Sequence, residues 1–355
     1  MKMMKAARLH RIGDFRVEEA ELPPVKGEEL LVKVGACGIC GSDIPRIYQL
    51  GTSKQKYPLT IGHEFSGTVV AVGENADPAL VGQRGTVFPL IPCGSCEMCQ
   101  VGKYVMCTDY DYMGSRRDGG FAEYVVVPSA WHFVMSENPE TPMEALCMAE
   151  PTCVAQHAIR KSRLSAGEGV IIFGAGPIGI LAARWAEIFG ASSILLVDID
   201  DEKVRFAQER GFQAVNSQRV EPERAFRELS GGAYADAVIE GTGFGSVLEE
   251  CIACVRPMGR IVLLGNPIQE NSAISRKAHS GILRKELQIF GAWNSNYAPF
   301  PINEWRYTVE LLDSGRLQTA DLITHRCRLE ELPELCRKIR DHEVTVCKAV
   351  CTMEE

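Results

Sequence analysis

Gly169-Val-Ile-Ile-Phe-Gly-Ala-Gly-Pro-Ile-Gly179, continuing through Ile180 to Phe189, decides the architecture of much of the chain. Gly169 to Phe173 is an apolar strand, Gly174-Ala-Gly-Pro-Ile-Gly179 matches G-x-G-x-x-G, and Ile180 to Phe189 continues as a helix. Alone the motif carries little, but between a strand and a helix it describes a phosphate-binding turn. The glycines allow a tight bend and close backbone approach, so a pyrophosphate can rest on amides at the helix N-terminus. Gly174, Gly176, Pro177, Ile178 and Gly179 are therefore candidate contacts to a dinucleotide. The next strand, Ile194-Leu-Leu-Val, ends at Asp198, near the spacing usual for a ribose-binding acid. A carboxylate there accepts from the adenosine ribose hydroxyls and repels a 2'-phosphate, which favours NAD over NADP. Lys203 is a further candidate cofactor contact.

The alternation continues outward. Helices are expected at Asp201 to Arg210, Pro222 to Leu229 and Phe244 to Arg256. Strands are expected at Ala214 to Asn216, Ala235 to Glu240, Arg260 to Gly265 and Leu287 to Trp293, giving a doubly wound parallel sheet. Upstream, short alternating runs such as Glu29-Leu-Leu-Val-Lys-Val and Gly67-Thr-Val-Val-Ala-Val predict a barrel-like β domain. After Trp293, helices Glu304 to Leu312 and Glu330 to Arg340 precede a short strand, Lys348 to Cys351. The division read from this pattern is α/β: a β-rich domain over 1–153, a dinucleotide domain over 154–294, and a tail, 295–355, returning to the first domain.

Length and composition agree with two cores, since 355 residues exceed one ordinary core and 46% are hydrophobic. A net charge of -8 argues against nucleic acid or an anionic membrane as partner, because their phosphates demand a basic face. The first residues, Met1-Lys-Met-Met-Lys-Ala-Ala-Arg, lack the apolar stretch of a secretory signal, so the expected location is the cytoplasm. The most apolar segment, Gly169 to Ala183, is shorter than the roughly 20 residues a membrane span needs.

Fourteen cysteines in a large chain point to metal rather than disulfides. Cys93, Cys96, Cys99 and Cys107 form C-x2-C-x2-C-x7-C, with Pro92, Gly94 and Gly102 supplying bends. Structural zinc takes four thiolates at tetrahedral corners, and short spacings let one loop supply them at little closure entropy. The rival is an iron-sulfur cluster, whose C-x2-C-x2-C-x3-C-P pattern fails at the last spacing. Cys251 and Cys254 sit at i, i+3 of an amphipathic helix and read as packing, as does Cys37 in an alternating strand.

A second metal set must come from distant residues: Cys40 in Gly38-Ile-Cys-Gly-Ser-Asp, His63 and Glu64 in Gly62-His-Glu, and Glu150 in Ala149-Glu-Pro, each beside Gly or Pro in an expected loop. One cysteine, one histidine and one carboxylate suit a catalytic zinc, which keeps a fourth position open. Singly, His63 also reads as a hydrogen-bonded structural histidine and Glu150 as an acid at a helix N-terminus.

The order Gly38-Ile-Cys-Gly-Ser-Asp43, Gly62-His-Glu64, the four-cysteine lobe, Gly119-Gly-Phe-Ala-Glu-Tyr124, Glu150-Pro and the dinucleotide turn resembles that of the zinc-containing medium-chain dehydrogenases across nearly the whole chain. The resemblance implies a GroES-like catalytic domain, two zinc ions per chain, and a homodimer or homotetramer. It implies catalytic zinc on Cys40, His63 and Glu150, with Glu64 an alternate or neighbouring group and Asp43 orienting His63. Ser42 resembles the hydroxyl of the family's proton relay. Pro45 stands where many relatives carry a relay histidine.

Within the family, Cys40-Gly-Ser-Asp-Ile-Pro-Arg-Ile-Tyr48, Ser115-Arg-Arg-Asp-Gly-Gly-Phe121, Ile282-Leu-Arg-Lys-Glu-Leu287 and the Trp293 to Trp305 segment resemble enzymes that oxidise a sugar-alcohol phosphate. Arg46, Arg116 and Arg117 are the candidate phosphate contacts, by their planar donor forks; each equally reads as pairing with an acid or solvating a surface. Asn294 stands where sorbitol dehydrogenases carry an Arg-Tyr pair and is a candidate polyol contact. Two alternatives stay open: an unphosphorylated polyol or threonine dehydrogenase of the same fold, and a dinucleotide-binding sensor without turnover.

Overall fold

Runs of β-branched and aliphatic residues set out two separate cores. The structure, a computed structural model, describes residues 2–353. It divides into one unit of residues 1–150 and 296–355 and another of residues 151–295. The sequence reading put these breaks at 153/154 and 294/295.

The second unit is built on a six-stranded, wholly parallel sheet. Its strands in chain order are Gly169–Phe173, Ser193–Asp198, Gln213–Asn216, Ala235–Glu240, Val255–Leu263 and Gln288–Gly291. Across the sheet they lie third, second, first, fourth, fifth, sixth. Strands covered on both faces read as continuous apolar runs, and all five residues of Gly169–Phe173 are buried. The order reverses between the first and fourth strands, the place where such sheets hold a dinucleotide.

Two details differ from the sequence reading. The helix expected over Phe244 to Arg256 spans Gly245–Cys254, and the next strand already starts at Val255. Pro257 disfavours helical geometry at Arg256, which ends the helix early. Helix Arg276–Arg284 was not expected; its exposed residues hide the apolar period, and Ser275 caps it by accepting from the Ala278 amide at 3.2 Å.

The first unit centres on a seven-stranded sheet. Its path runs Phe133–Met135, Arg84–Val87, Glu64–Val72, Leu30–Ile39, Lys348–Thr352 and Ile323–Arg328, and Tyr124–Val127 also pairs with Leu30–Ile39. Leu30–Ile39 is covered on both faces, so only Lys33 reaches solvent where alternation was expected. The chain's last strand pairs antiparallel with it, which is how the tail joins this unit. Strand Ile323–Arg328 was missed because its Thr-His-Arg-Cys-Arg sequence shows little apolar pattern.

Buried Cys37, Cys327, Cys336 and Cys351 belong to this core, and Cys251 and Cys254 to that of the second unit. Among the described residues no helix is long and apolar enough to cross a membrane.

Candidate active site

The four lobe cysteines converge. Their sulfurs all lie within 4.8 Å of one another. Cys93 to Cys99 is 4.0 Å, Cys96 to Cys99 is 3.5 Å and Cys96 to Cys107 is 3.9 Å. Four thiolates about 2.3 Å from a tetrahedral ion have edges of roughly 3.8 Å, so the spacing fits zinc. Backbone N–H groups of Cys93 and Cys96 donate to the sulfurs of Cys107 and Cys93, at 3.2 and 3.4 Å. Hydrogen bonding of this kind lowers the thiols of Cys93 and Cys96, whereas burial raises that of Cys99.

A second group forms in the same unit where Cys40, just past the end of Leu30–Ile39, meets His63 and Glu64 at the start of Glu64–Val72. Their donor atoms also lie within 4.8 Å of one another. The Gly119 motif explains how His63 is held: the amides of Gly119, Gly120 and Phe121 donate to the carbonyls of Thr60, Gly62 and Ile61 at 2.9, 2.8 and 3.0 Å. A side chain on Gly119 would run into the Gly62 carbonyl oxygen, so the strand can close on the histidine turn only with glycine there.

Asp43 is fully buried and turns back to accept from the Cys40 amide at 3.0 Å. Its Oδ1 faces His63 Nδ1 at 3.7 Å. Ser42 donates to the Cys40 sulfur through its amide and its hydroxyl, at 3.5 and 3.3 Å. Here the Ser42 hydroxyl is turned onto the Cys40 sulfur.

Glu150 is not in this group of donor atoms. It was expected in a loop but lies in the first turn of helix Ala149–Lys161, where Pro151 is tolerated because early helical amides need no partner within the helix. It is buried, and the Tyr112 hydroxyl donates to its Oε1 at 3.2 Å. Tyr112 also stands edge-on to His63, with ring centroids 5.8 Å apart. Two residues of the site thus escaped sequence reading. Tyr112 carried no motif, and Lys348, whose Nζ pairs with Glu64 Oε2, read only as the first residue of a short strand.

The electrostatics show what this group suits. Burial pushes the His63 imidazole down, yet Cys40, Asp43 and Glu150 outweigh it and raise its pKa to about 10. Burial pushes Glu150 up to about 7 and also raises Asp43. His63 Nδ1 and Asp43 Oδ1 are buried without hydrogen-bond partners. Anionic groups crowding one imidazole, with orphaned polar atoms among them, fit a divalent cation.

In the second unit the glycine turn follows the first strand. Gly176 caps helix Pro177–Ile188, Pro177 opens it, and Ile178 and Gly179 lie in its first turn. A side chain on Gly179 would run into the Gly174 carbonyl oxygen, while one on Gly176 would meet nothing within 4 Å. Asp198 ends the second strand and accepts amide hydrogens from Ala175, Ile199 and Asp200 at 2.8, 2.8 and 3.1 Å. Two carboxylate oxygens offer about four acceptor sites, so one stays open for a ribose hydroxyl. Lys203 is exposed on helix Asp201–Gln208.

The three arginines separate. Arg46 follows the Cys40 turn, lies close enough to lower the pKa of Asp43, and has a buried Nε without a hydrogen-bond partner. Arg116 lies over the Tyr110 ring, 4.0 Å from its centroid, and donates to the Tyr110 carbonyl. Arg117 lines a cavity of about 590 Å³ with Arg8, Lys26 and Lys56. Asn294 belongs to the second unit, with φ +57°, and accepts from the Ser295 hydroxyl at 3.0 Å.

Residues 26–137 match the alcohol dehydrogenase GroES-like domain and residues 177–314 the zinc-binding dehydrogenase domain. Galactitol 1-phosphate 5-dehydrogenase of Escherichia coli K12 is 35% identical over 92% of this chain and 94% of its own. The chain belongs to the zinc-type medium-chain alcohol dehydrogenases. A crystal structure of galactitol-1-phosphate dehydrogenase from Escherichia coli superposes on this dehydrogenase with a TM-score of 0.90, at 35% identity, covering 99% of this chain and 100% of that one. An alcohol dehydrogenase of Escherichia coli CFT073, solved with NADH, matches with a TM-score of 0.87 and 30% identity over 99% of this chain and 100% of that one. The dehydrogenase is thus an oxidoreductase with a GroES-like domain and a doubly wound dinucleotide domain.

Proposed function

We propose that this dehydrogenase uses NAD to oxidise a secondary alcohol of a hexitol 1-phosphate, first among them galactitol 1-phosphate, at C5, giving L-tagatose 6-phosphate. The observation that carries the reading is a single turn of chain, Cys40 to Arg46. One end supplies a sulfur to the Cys40, His63 and Glu64 group. The other carries a guanidinium whose buried Nε lacks a partner. A phosphate oxygen is the acceptor such a donor fits. Similarity to the galactitol 1-phosphate enzyme of Escherichia coli supports the same substrate class.

In this reading Cys40, His63 and Glu150 hold the catalytic zinc and the four lobe cysteines a structural one. When bound, zinc there would supply Lewis acidity that eases deprotonation of the alcohol, and NAD would supply the hydride acceptor. The protein's own groups bind and orient. Asp43 sets the His63 ring, Tyr112 holds the Glu150 carboxyl, and the Ser42 hydroxyl steadies the Cys40 thiolate. With Pro45 unable to relay a proton, Ser42 is the one hydroxyl of the Cys40 turn able to pass it outward. In the second unit, the amides opening helix Pro177–Ile188 receive the pyrophosphate and Asp198 the ribose.

The test is NADH formation with a panel of alditols, each with and without a 1-phosphate. Turnover of the phosphorylated members supports the reading. Turnover of the free alditols alone, or of threonine run beside them, moves the assignment to that enzyme of the same fold, and absence of NADH with all of them moves it to a sensor.

A further inference from the structure

Arg117, two residues before Gly119, lines a cavity that the catalytic group does not share. The cavity holds about 590 Å³ and lies wholly in the first unit, between strands Met3–Arg11, Asp14–Glu21 and Tyr124–Val127 and the turn at Asp118. None of Cys40, Arg46, His63, Glu64 and Glu150 lines it. Its volume is that of a small-molecule site.

Four cations gather there: Arg8, Lys26, Lys56 and Arg117. The chain has a net charge of -8, so carboxylates are in excess. Yet among the described residues Lys26, Lys56 and Arg117 have neither an ion pair nor a side-chain hydrogen bond. Arg8 is held at the wall, where its terminal nitrogens reach Glu18 at 3.5 Å and the Pro58 carbonyl at 3.4 Å. The acids of the same wall are turned elsewhere. Asp118 accepts from the Thr60 amide at 2.9 Å, Glu29 accepts from the Lys26 amide at 3.2 Å, and Glu21 is exposed at the end of its strand. Like charges that converge on one cavity repel, and an anion among them removes that cost. Met4, Pro23, Pro24 and Val126 add apolar surface to the same wall.

We propose that this cavity is a second ligand site, separate from the one that receives the alcohol, and that it takes a small phosphate monoester. Arg117, Lys26 and Lys56 receive the phosphate, and the apolar wall receives the carbon body. A phosphate carries up to two charges and three acceptor oxygens, which suits several donors better than the single charge of a carboxylate. The site does not depend on which alcohol the enzyme oxidises.

The experiment titrates full-length protein, labelled with nitrogen-15 arginine, with glycerol phosphate and separately with inorganic phosphate. The guanidinium Nε–H resonances of Arg117 and Arg116, assigned through Arg117→Lys and Arg116→Lys, are followed. Arg117 moves along a saturating curve, and Arg116, packed on Tyr110, stays in place. Lys26→Gln and Lys56→Gln each raise Kd about tenfold, the loss of one charge-assisted contact. Both lysines are exposed, so these variants keep the fold. Arg46→Ala leaves the curve unchanged. A linear drift shared by Arg117 and Arg116 marks a diffuse ion atmosphere only and overturns the site, as does a Kd unchanged in both lysine variants. Loss of the Arg117 response in Arg46→Ala makes the cavity part of the substrate site and overturns its separateness. Tighter binding of inorganic phosphate than of glycerol phosphate overturns the monoester.

Discussion

His63 Nδ1 and Asp43 Oδ1 face each other at 3.7 Å, both buried and neither hydrogen-bonded. The gap is too long for a hydrogen bond, yet the carboxylate is one of the charges that raise the imidazole's pKa. Partners behind a metal-binding histidine fix its tautomer and raise its basicity, and losing one costs about 10–100-fold in metal affinity. Asp43→Asn should therefore bind zinc at the mixed site about 10–100-fold more weakly in a chelator competition, with the lobe site unaffected. Unchanged affinity would remove Asp43 from that role.

Cys99 is one of the two buried cysteines of the lobe, within 3.5 Å of Cys96. Because structural zinc contributes folding free energy directly, Cys99→Ser should lower zinc content and melting temperature before it touches chemistry. A loss of even ~1 kcal/mol lowers Tm by about 2–4 °C in a unit of this size. Calorimetry with metal analysis checks this, and unchanged melting at unchanged metal content would count against a structural ion.

The sequence carried the motifs but not their meeting. The glycine turn was legible because its whole geometry is local: Gly174 to Gly179 spans one bend and the start of one helix. The four lobe cysteines were legible for the same reason. The mixed site joins Cys40, His63 and Glu64 across two strands, so spacing could nominate its members without ranking Glu64 against Glu150. Lys348 was invisible because its partner lies 284 positions away (348 minus 64) and the contact exists only through strand pairing on both sides of Gly38. The arginines failed differently. Adjacent in sequence, Arg116 and Arg117 have separate surroundings, one on Tyr110 and the other in a cavity with Arg8.

Asp198 already holds three backbone amides, which fixes its carboxylate where an adenosine ribose would bind. A 2'-phosphate charge 4 Å away would cost on the order of 4 kcal/mol at an effective dielectric near 20. NAD should be strongly preferred over NADP in kcat/KM, and Asp198→Ala should narrow the gap. Comparable values with both cofactors in wild type would show that the acid does not read the ribose.

Arg46 offers the unsatisfied donor, so it should carry most of the preference for a phosphorylated substrate. Charge-assisted hydrogen bonds contribute about 1.5–3 kcal/mol each, so one such bond is worth roughly one to two powers of ten in kcat/KM. Comparing galactitol 1-phosphate with galactitol, Arg46→Ala should lose that much of the preference, and Arg116→Ala much less because Arg116 is engaged with Tyr110. A preference that survives Arg46→Ala would keep the substrate and move its phosphate to another residue.

Two separate ligand sets should bind two zinc ions per chain, and the set containing Cys40 should do the chemistry. Zinc per chain, measured by elemental analysis on wild type and Cys40→Ala alongside turnover, tests it most directly. Two ions are expected in wild type and one in the variant, with the fold kept and activity lost. One ion in wild type, or two in Cys40→Ala, would contradict it.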